Sequence, residues 1–218
     1  MTMDKPKSNL YDLRINYSKA SLNKTDVQSA PVDQFQQWFD EALKSQVYEP
    51  NAMVLSTVNE MGQPAARVVL LKEIREDGFV FFTNYKSDKA RELEANPACS
   101  LVFLWHELER QVRIEGDAYK IDSHESDAYF AGRPYESRIG AWTSPQSKEI
   151  ESREELEHLA EKTKEKFKGK EVTRPEFWGG YIVIPRMMEF WQGRPGRLHD
   201  RIRYVWESNR WKVIRLAP

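Results

Sequence analysis

From Val32 onward, Phe35, Trp38, Phe39, Ala42 and Leu43 recur at steps of three and four residues, the period of a helix with one apolar face, and the pattern ends before Pro50. Beyond it the period shortens to two. "AMVLSTV" (52–58), "AARVVLLKEI" (65–74) and "FVFFTN" (79–84) are rich in β-branched and aromatic residues, with turn chemistry in "NEMGQP" and "REDG" between them. They predict an antiparallel meander. "SDKARELEANP" predicts a short helix with Ser87 at its N-cap, closed by Asn96 and Pro97, after which "ACSLVFLW" (98–105) and "RQVRIEGDAYKI" (110–121) resume the sheet. Residues 123–132 and 148–168 predict helices, the second so rich in Glu and Lys that it is largely solvated. "YIVIPRMMEFW" and the tail from Arg201 predict the last strands, turning at "ESNR". Residues 1–30, polar and bounded by Pro31, predict a mobile N-terminal arm ahead of a single domain over 31–218. Many short strands among helices predict a mainly β fold with flanking helices, a closed or half-closed barrel that hides its sheet edges.

Composition narrows the function. The 33 Lys and Arg against 34 Asp and Glu leave a formal net charge of −1, without the basic excess of a general nucleic-acid or membrane-surface binder, so any anion must be met by local clusters. One cysteine, Cys99, in an apolar run allows no internal disulfide, which suits a reducing cytoplasm. The first residues carry no apolar run of the signal-peptide kind, and no stretch approaches the roughly 20 apolar residues of a membrane span, so a cytoplasmic protein is expected. His106, His124, His158 and His199 are not at metal-ligand spacing, and no metal is expected. No GxGxxG, Walker or GxSxG signature occurs.

What remains is a scatter of cations and hydroxyls. In "RVVLLK", strict alternation puts Arg67 on one face with Val69 and Leu71, and Lys72 on the other with Val68 and Leu70. In "TNYKSDKAREL", Thr83, Ser87, Lys89 and helix N-terminal amides suit an anion, though ordinary capping also explains Ser87. In "AYFAGRPYESRIGAW", Tyr129 and Arg133 stand at i and i+4 with Ser137 just past Pro134, either a phosphate cradle or a core Tyr beside a surface Arg. Gln146 and Ser147 in "SPQSK" are turn polars or ligand contacts. "WQGRPGRLHDRIRY" (191–204) then packs four arginines and a histidine into fourteen positions.

In order and spacing, "RVVLLK", "FFTNYKSDKA", "LERQVRIEG", "YFAGRPYESRIGAW", "FWGGY", "EFWQGRPGRLHDR" and the terminal "RLAP" resemble the pyridoxine (pyridoxamine) 5′-phosphate oxidases, FMN enzymes of vitamin B6 metabolism. The resemblance spans about Arg14 to Pro218, and "FWQG" followed by "RLHDR" is its most specific part. It implies an FMN-binding split β-barrel, a homodimer whose two sites are built from both subunits, and oxidation of pyridoxine or pyridoxamine 5′-phosphate to pyridoxal 5′-phosphate, with O2 reduced to H2O2. Carried over by position, Arg67, Val68, Val69, Leu70, Leu71, Lys72, Phe82, Thr83, Lys89, Gln111, Gln146, Ser147, Trp191 and Arg201 would contact FMN. Lys72, Tyr129, Arg133 and Ser137 would hold the substrate phosphate; Arg197, Leu198 and His199 would meet the substrate ring, with Arg14 and Tyr17 closing over it.

Three positions depart from the pattern: Asp88 where an arginine is frequent, Phe82 for tyrosine and Glu49 for aspartate. Arg194 and Arg203 receive no role and are expected to face solvent. Rival readings are an FMN split-barrel reductase of another substrate, a non-enzymatic carrier of pyridoxal phosphate, and a single-strand nucleic-acid platform of Trp191, Arg194, Arg197, Tyr204 and Trp206.

Overall fold

The computed structural model describes residues 15–218. Helix α1 (Pro31–Lys44) opens on a proline, whose missing N–H costs nothing in a first turn, and buries Phe35, Trp38 and Ala42. Leu43 of the predicted stripe is 53% exposed.

The sheet has nine strands, antiparallel at every pairing: β1 (Ala52–Val58), β2 (Pro64–Leu70), β3 (Glu73–Arg75), β4 (Gly78–Asn84), β5 (Ala98–Trp105), β6 (Arg110–Lys120), β7 (Trp178–Gln192), β8 (Asp200–Glu207) and β9 (Arg210–Leu216). Its path is β2-β1-β5-β6-β7-β4-β3, and β8 and β9 extend from β7. The 15-residue β7 organises the molecule. Residues 178–183 pair with β4 and 187–192 with β8, while β6 runs along the opposite edge. Where β6 bulges at Glu115/Gly116, a Cβ on Gly116 would lie 2.1 Å from the Ile184 carbonyl oxygen, so only glycine lets the two long strands stay paired.

The curled sheet encloses an aromatic core. Phe35 of α1 sits 4.8 Å, centroid to centroid, from both Phe79 and Phe103, and Trp38 meets Phe190 edge-on. A second cluster of Phe130, Ile139, Phe167, Val172 and Trp178 packs α3 (Ser123–Ala131), α4 (Tyr135–Thr143) and the end of α5 (Arg153–Lys166) against the start of β7. Helix α2 (Asp88–Ala95) leans on the barrel through Ala90 and Leu93.

Several expectations change. Gly132 ends α3 early and Pro134 opens α4, so Ser137 is helical and Arg133 lies in the break between two helices. Helix α5 starts at Arg153, capped by the Ser152 hydroxyl accepting from Glu155 N–H at 3.2 Å; residues 148–152 precede it. The part of the expected arm from Ser18 to Ala30 is packed down, with Leu22 4% exposed inside the core and the Tyr204 hydroxyl donating to the Gln28 carbonyl. Burying Tyr204 also removes it from any nucleic-acid platform. Among the described residues no helix is long and apolar enough to cross a membrane.

Candidate functional site

Two clusters of sequence-predicted residues form, at opposite ends of β7. The first is a cavity of about 540 Å³ lined by Arg67, Val68, Val69, Leu70 and Lys72 of β2 and its exit, Phe82 and Thr83 of β4, Lys89 of α2, Tyr129 and Arg133, and Ser137, Gln146 and Trp178. Arg67 and Lys72 were expected on opposite faces; β2 stops at Leu70, and the turned chain brings both cations to one cavity.

Local structure holds each cation. Arg67 donates to Glu92 Oε2 at 3.0 Å, to the Leu55 carbonyl at 3.3 Å and to the Thr57 hydroxyl. Lys89 donates to Gln146 Oε1 and the Ser87 hydroxyl, both at 3.3 Å. Burial, followed by the like charge of Arg67, lowers the pKa of Lys89. Phe82 stacks on Tyr129 at 3.8 Å and on Trp178 at 5.4 Å, and the Arg133 guanidinium lies 4.5 Å over the Trp178 ring. Burial lowers the Arg133 pKa, and its Nη1 is buried with no hydrogen-bond partner among the described residues. An unpartnered buried N–H costs about 1–3 kcal/mol, and a phosphate or carboxylate oxygen is an acceptor that a guanidinium fork fits. The cavity therefore presents four cations, Arg67, Lys72, Lys89 and Arg133, with Glu92 the acid paired among them. Its chemistry is that of a site for anions.

Ser87 is the N-cap residue of α2, as expected, but its hydroxyl makes no capping hydrogen bond and donates back to the Asn84 carbonyl at 2.7 Å. The Asp88 N–H instead donates to the Ser147 hydroxyl at 3.3 Å, which places Ser147 at the start of α2, beside the lining residue Gln146. Asp88 itself pairs with Arg91 outside the cavity, and Lys86 sits over the Phe177 ring at 4.7 Å, so neither replaces the arginine frequent there.

The second cluster surrounds a cavity of about 520 Å³ lined by Ile15, Asn16, Tyr17, Arg194, Gly196, Arg197 and His199. The row Gln111, Trp191, Arg201 crosses β6, β7 and β8 in register beside it. Trp191 lies 4.6 Å from His199, and Tyr17 meets both rings edge-on at 5.7 and 5.8 Å. Tyr17 fits because position 193 is glycine: a Cβ there would lie 2.7 Å from the tyrosine ring. The Arg194 N–H donates to His199 Nδ1 at 3.1 Å, so the proton of the neutral imidazole sits on Nε2. Burial first, then the charge of Arg197, lowers the His199 pKa and favours that neutral donor. Arg197 has φ 62°, a left-handed backbone costing on the order of 1–2 kcal/mol for a side chain with a Cβ. Strain of this kind collects where a side chain must be aimed.

Some predicted residues fall elsewhere. Leu71 is 4% exposed in the core, and Leu198 points to solvent at 74% exposure. Arg14 lies outside the described residues. Arg194 and Arg203, expected in solvent, are both engaged: Arg194 holds the Ala20 carbonyl at 3.0 Å, and Arg203 pairs with Glu189 at 2.7 Å. Sequence reading also missed the acids behind the cations. Glu92 holds Arg67, and Glu189, 2% exposed, takes Arg201 and Arg203 together. For Glu189 the pairing follows strand register, since it faces Arg203 directly across β7 and β8; Glu92, on α2, has no such signal.

Residues 39–167 match the family model described as pyridoxamine 5′-phosphate oxidase, and residues 178–218 match that of the pyridoxine 5′-phosphate oxidase C-terminal dimerisation region. The chain belongs to the pyridoxine/pyridoxamine 5′-phosphate oxidase family. It is 55% identical over 212 residues to the oxidase of that name from Burkholderia thailandensis (96% of this chain, 99% of the relative), and 52% identical over 208 residues to that of Gloeothece citriformis (95% and 97%). Among solved structures, PhzG from Burkholderia lata, in complex with tetrahydrophenazine-1-carboxylic acid, superposes with a TM-score of 0.85 at 32% identity, covering 90% of this chain and 98% of PhzG. A pyridoxamine 5′-phosphate oxidase-related, FMN-binding protein from Nostoc punctiforme gives a TM-score of 0.68 at 19% identity, covering 88% and 100%, and shares the split-barrel fold. Family membership and fold thus agree with the residues that drew the resemblance, and the fold is the expected mainly β split barrel with flanking helices.

Proposed function

We propose that this chain is an FMN-dependent oxidase, pyridoxal 5′-phosphate synthase, that converts pyridoxine 5′-phosphate and pyridoxamine 5′-phosphate to pyridoxal 5′-phosphate with O2 as acceptor and H2O2 as product. The observation that carries the reading is the cavity with four cations, one of them bearing a buried N–H without an acceptor. Two phosphate monoesters bring roughly two negative charges each at neutral pH, and four cations match both. FMN fits the donors present: Arg67, Lys89, Thr83 and Gln146 on one side for its phosphate and ring, Lys72, Tyr129, Arg133 and Ser137 on the other for the substrate phosphate. Bound FMN supplies a two-electron acceptor for the substrate carbon that becomes the aldehyde and returns those electrons to O2.

The chain's own groups bind and orient. The Phe82–Tyr129–Trp178 stack fixes the phenol and the guanidinium that grip the phosphate. Arg197 and His199 belong over the substrate ring, where a fixed cation and a neutral Nε2–H donor polarise its oxygen. They lie beyond the far end of β7, whose 15 residues at ~3.3 Å each give a contour of roughly 45 Å. The reading that a second copy of the chain supplies the Arg197–His199 cluster at each cavity is supported by the C-terminal region that carries it, which matches a dimerisation model. We read the protein as a homodimer with two shared sites. A reducing cytoplasm suits its single buried thiol.

An absorbance spectrum of the purified protein, before and after anaerobic addition of pyridoxine 5′-phosphate, tests the proposal. Flavin bands that bleach, then return in air with one H2O2 and one pyridoxal 5′-phosphate formed, are expected. Bands that persist with this substrate yet bleach with tetrahydrophenazine-1-carboxylic acid would move the chain to the chemistry of its PhzG relative. A protein that neither carries nor takes up flavin would refute the assignment.

A further inference from the structure

Glu109 is 8% exposed, and among the described residues its carboxylate forms no ion pair. A buried carboxylate without an ion pair is costly unless N–H groups satisfy it. Here the donors come from far along the chain: Ser18 N–H at 2.8 Å and Lys19 N–H at 2.9 Å both meet Glu109 Oε2. Its backbone is equally committed, because the Glu109 carbonyl accepts from Gly193 N–H at 2.8 Å and from the Gln192 amide at 3.2 Å. Glu109 also sits in the left-handed region, at φ 54° and ψ 40°, closing the short turn before β6. One strained residue thus ties the N-terminal segment to the end of β7.

What this clamp sets is the position of Tyr17. The residue directly before the anchored pair packs into the slot above Gly193, against Trp191 and His199. Three further contacts hold the backbone after the pair: Arg194 on the Ala20 carbonyl, Asp200 on Leu22 N–H at 3.0 Å and Arg215 on the Leu22 carbonyl at 2.6 Å. Those fix where the segment lies on the barrel; the Glu109 pair is the last fixed point before Tyr17.

We propose that Glu109 is a positioning residue for the Tyr17–Trp191–His199 cluster, acting through Ser18 and Lys19. The kinetic part of the test rests on the proposed oxidase reading, and the proteolytic part does not. In the flavin-loaded protein, Glu109→Ala keeps the left-handed backbone demand and removes only the acceptor. Trypsin should then cut after Lys19 at least tenfold faster, kcat for pyridoxine 5′-phosphate should fall about tenfold, and KM should stay within twofold, because the phosphate cavity is untouched. Glu109→Gln retains an acceptor oxygen and should restore both readouts to within threefold of wild type. Ser18→Pro, on the exposed segment, deletes one donor with Glu109 intact and should reproduce the alanine effect, which keeps the test open if Glu109→Ala does not fold. Unchanged cleavage and kcat in Glu109→Ala or Ser18→Pro would overturn the proposal, as would a glutamine variant as impaired as alanine. Accelerated cleavage in a protein whose wild type does not turn over pyridoxine 5′-phosphate would sustain the anchor and refute the oxidase reading instead.

Discussion

Replacing Arg133 with leucine separates a ligand-binding arginine from a structural one. Among the described residues its Nη1 is buried without an acceptor, and the guanidinium rests on Trp178 and Phe130 at 4.5 and 5.5 Å. Deleting the unpartnered N–H removes a cost of about 1–3 kcal/mol. Losing the cation–ring contacts costs about 0.5–2 kcal/mol. The two nearly cancel, so the ligand-free melting temperature should move by less than about 3 °C, given ~2–4 °C per kcal/mol in a chain of this size. Toward a phosphorylated ligand the balance differs. Two charge-assisted hydrogen bonds at ~1.5–3 kcal/mol each would be lost. Lys72, Tyr129 and Ser137 stay on the same anion and the mouth is open to water, so about half of that sum is expected, ~1.5–3 kcal/mol, or roughly 10- to 140-fold in dissociation constant. Calorimetric titration with pyridoxine 5′-phosphate, beside thermal melts of both proteins without ligand, measures the two numbers. A melting point lowered by more than about 5 °C with affinity unchanged would refute the reasoning and make Arg133 a packing residue.

Three other outcomes are expected. Arg197→Met should lower turnover roughly 100-fold while flavin content stays normal; it should also raise the His199 pKa seen by NMR, because the repulsive charge goes and the burial remains. Flavin loss with activity restored on refilling would instead make Arg197 a cofactor ligand. Burial alone would raise the Glu189 carboxyl, but hydrogen bonds from Arg203 and Arg201 and their charges outweigh it and hold the pKa below the ordinary value. Its stabilisation is therefore complete above the ordinary carboxylate range near pH 4 and lost as pH falls through the depressed value, so Glu189→Gln should cost about 1–3 kcal/mol at pH 7 in urea melts and progressively less below about pH 4. The Cys99 thiol, pushed up to about 12 by burial and then by Asp117, should react with a disulfide reagent at pH 8 about three orders of magnitude more slowly in the native protein than in urea.

Legibility in the sequence followed physical range. Local periodicity located the strands and α1, because side-chain alternation and a helical stripe are written within a few residues. Pro134 misled because a proline that ends one helix also starts the next well, and nothing local separates those roles. The segment after Ser18 read as an arm because its composition is polar; it is held by acceptors and donors of other strands, Glu109, Asp200 and Arg215, which no local pattern reveals. Cations suited to an anion were visible as residue types, whereas Glu92 and Glu189, which hold the arginines, lay hidden among 34 acids. The proposal that Arg197 and His199 meet the cavity of a second chain draws on the family resemblance, since no local pattern in the sequence suggests it.

The separation of the two clusters along β7 has a genetic consequence. If the two sites are shared as proposed, a subunit carrying Arg133→Leu should spoil the cavity it owns, and one carrying Arg197→Met should spoil only what it lends. When the two are coexpressed, a mixed two-fold dimer concentrates both lesions in one site and leaves the other intact. Random pairing makes about half of the dimers mixed, so about a quarter of all sites should work at wild-type efficiency although every site of either parent is impaired. Two impaired genes would together supply sites of full efficiency that neither supplies alone.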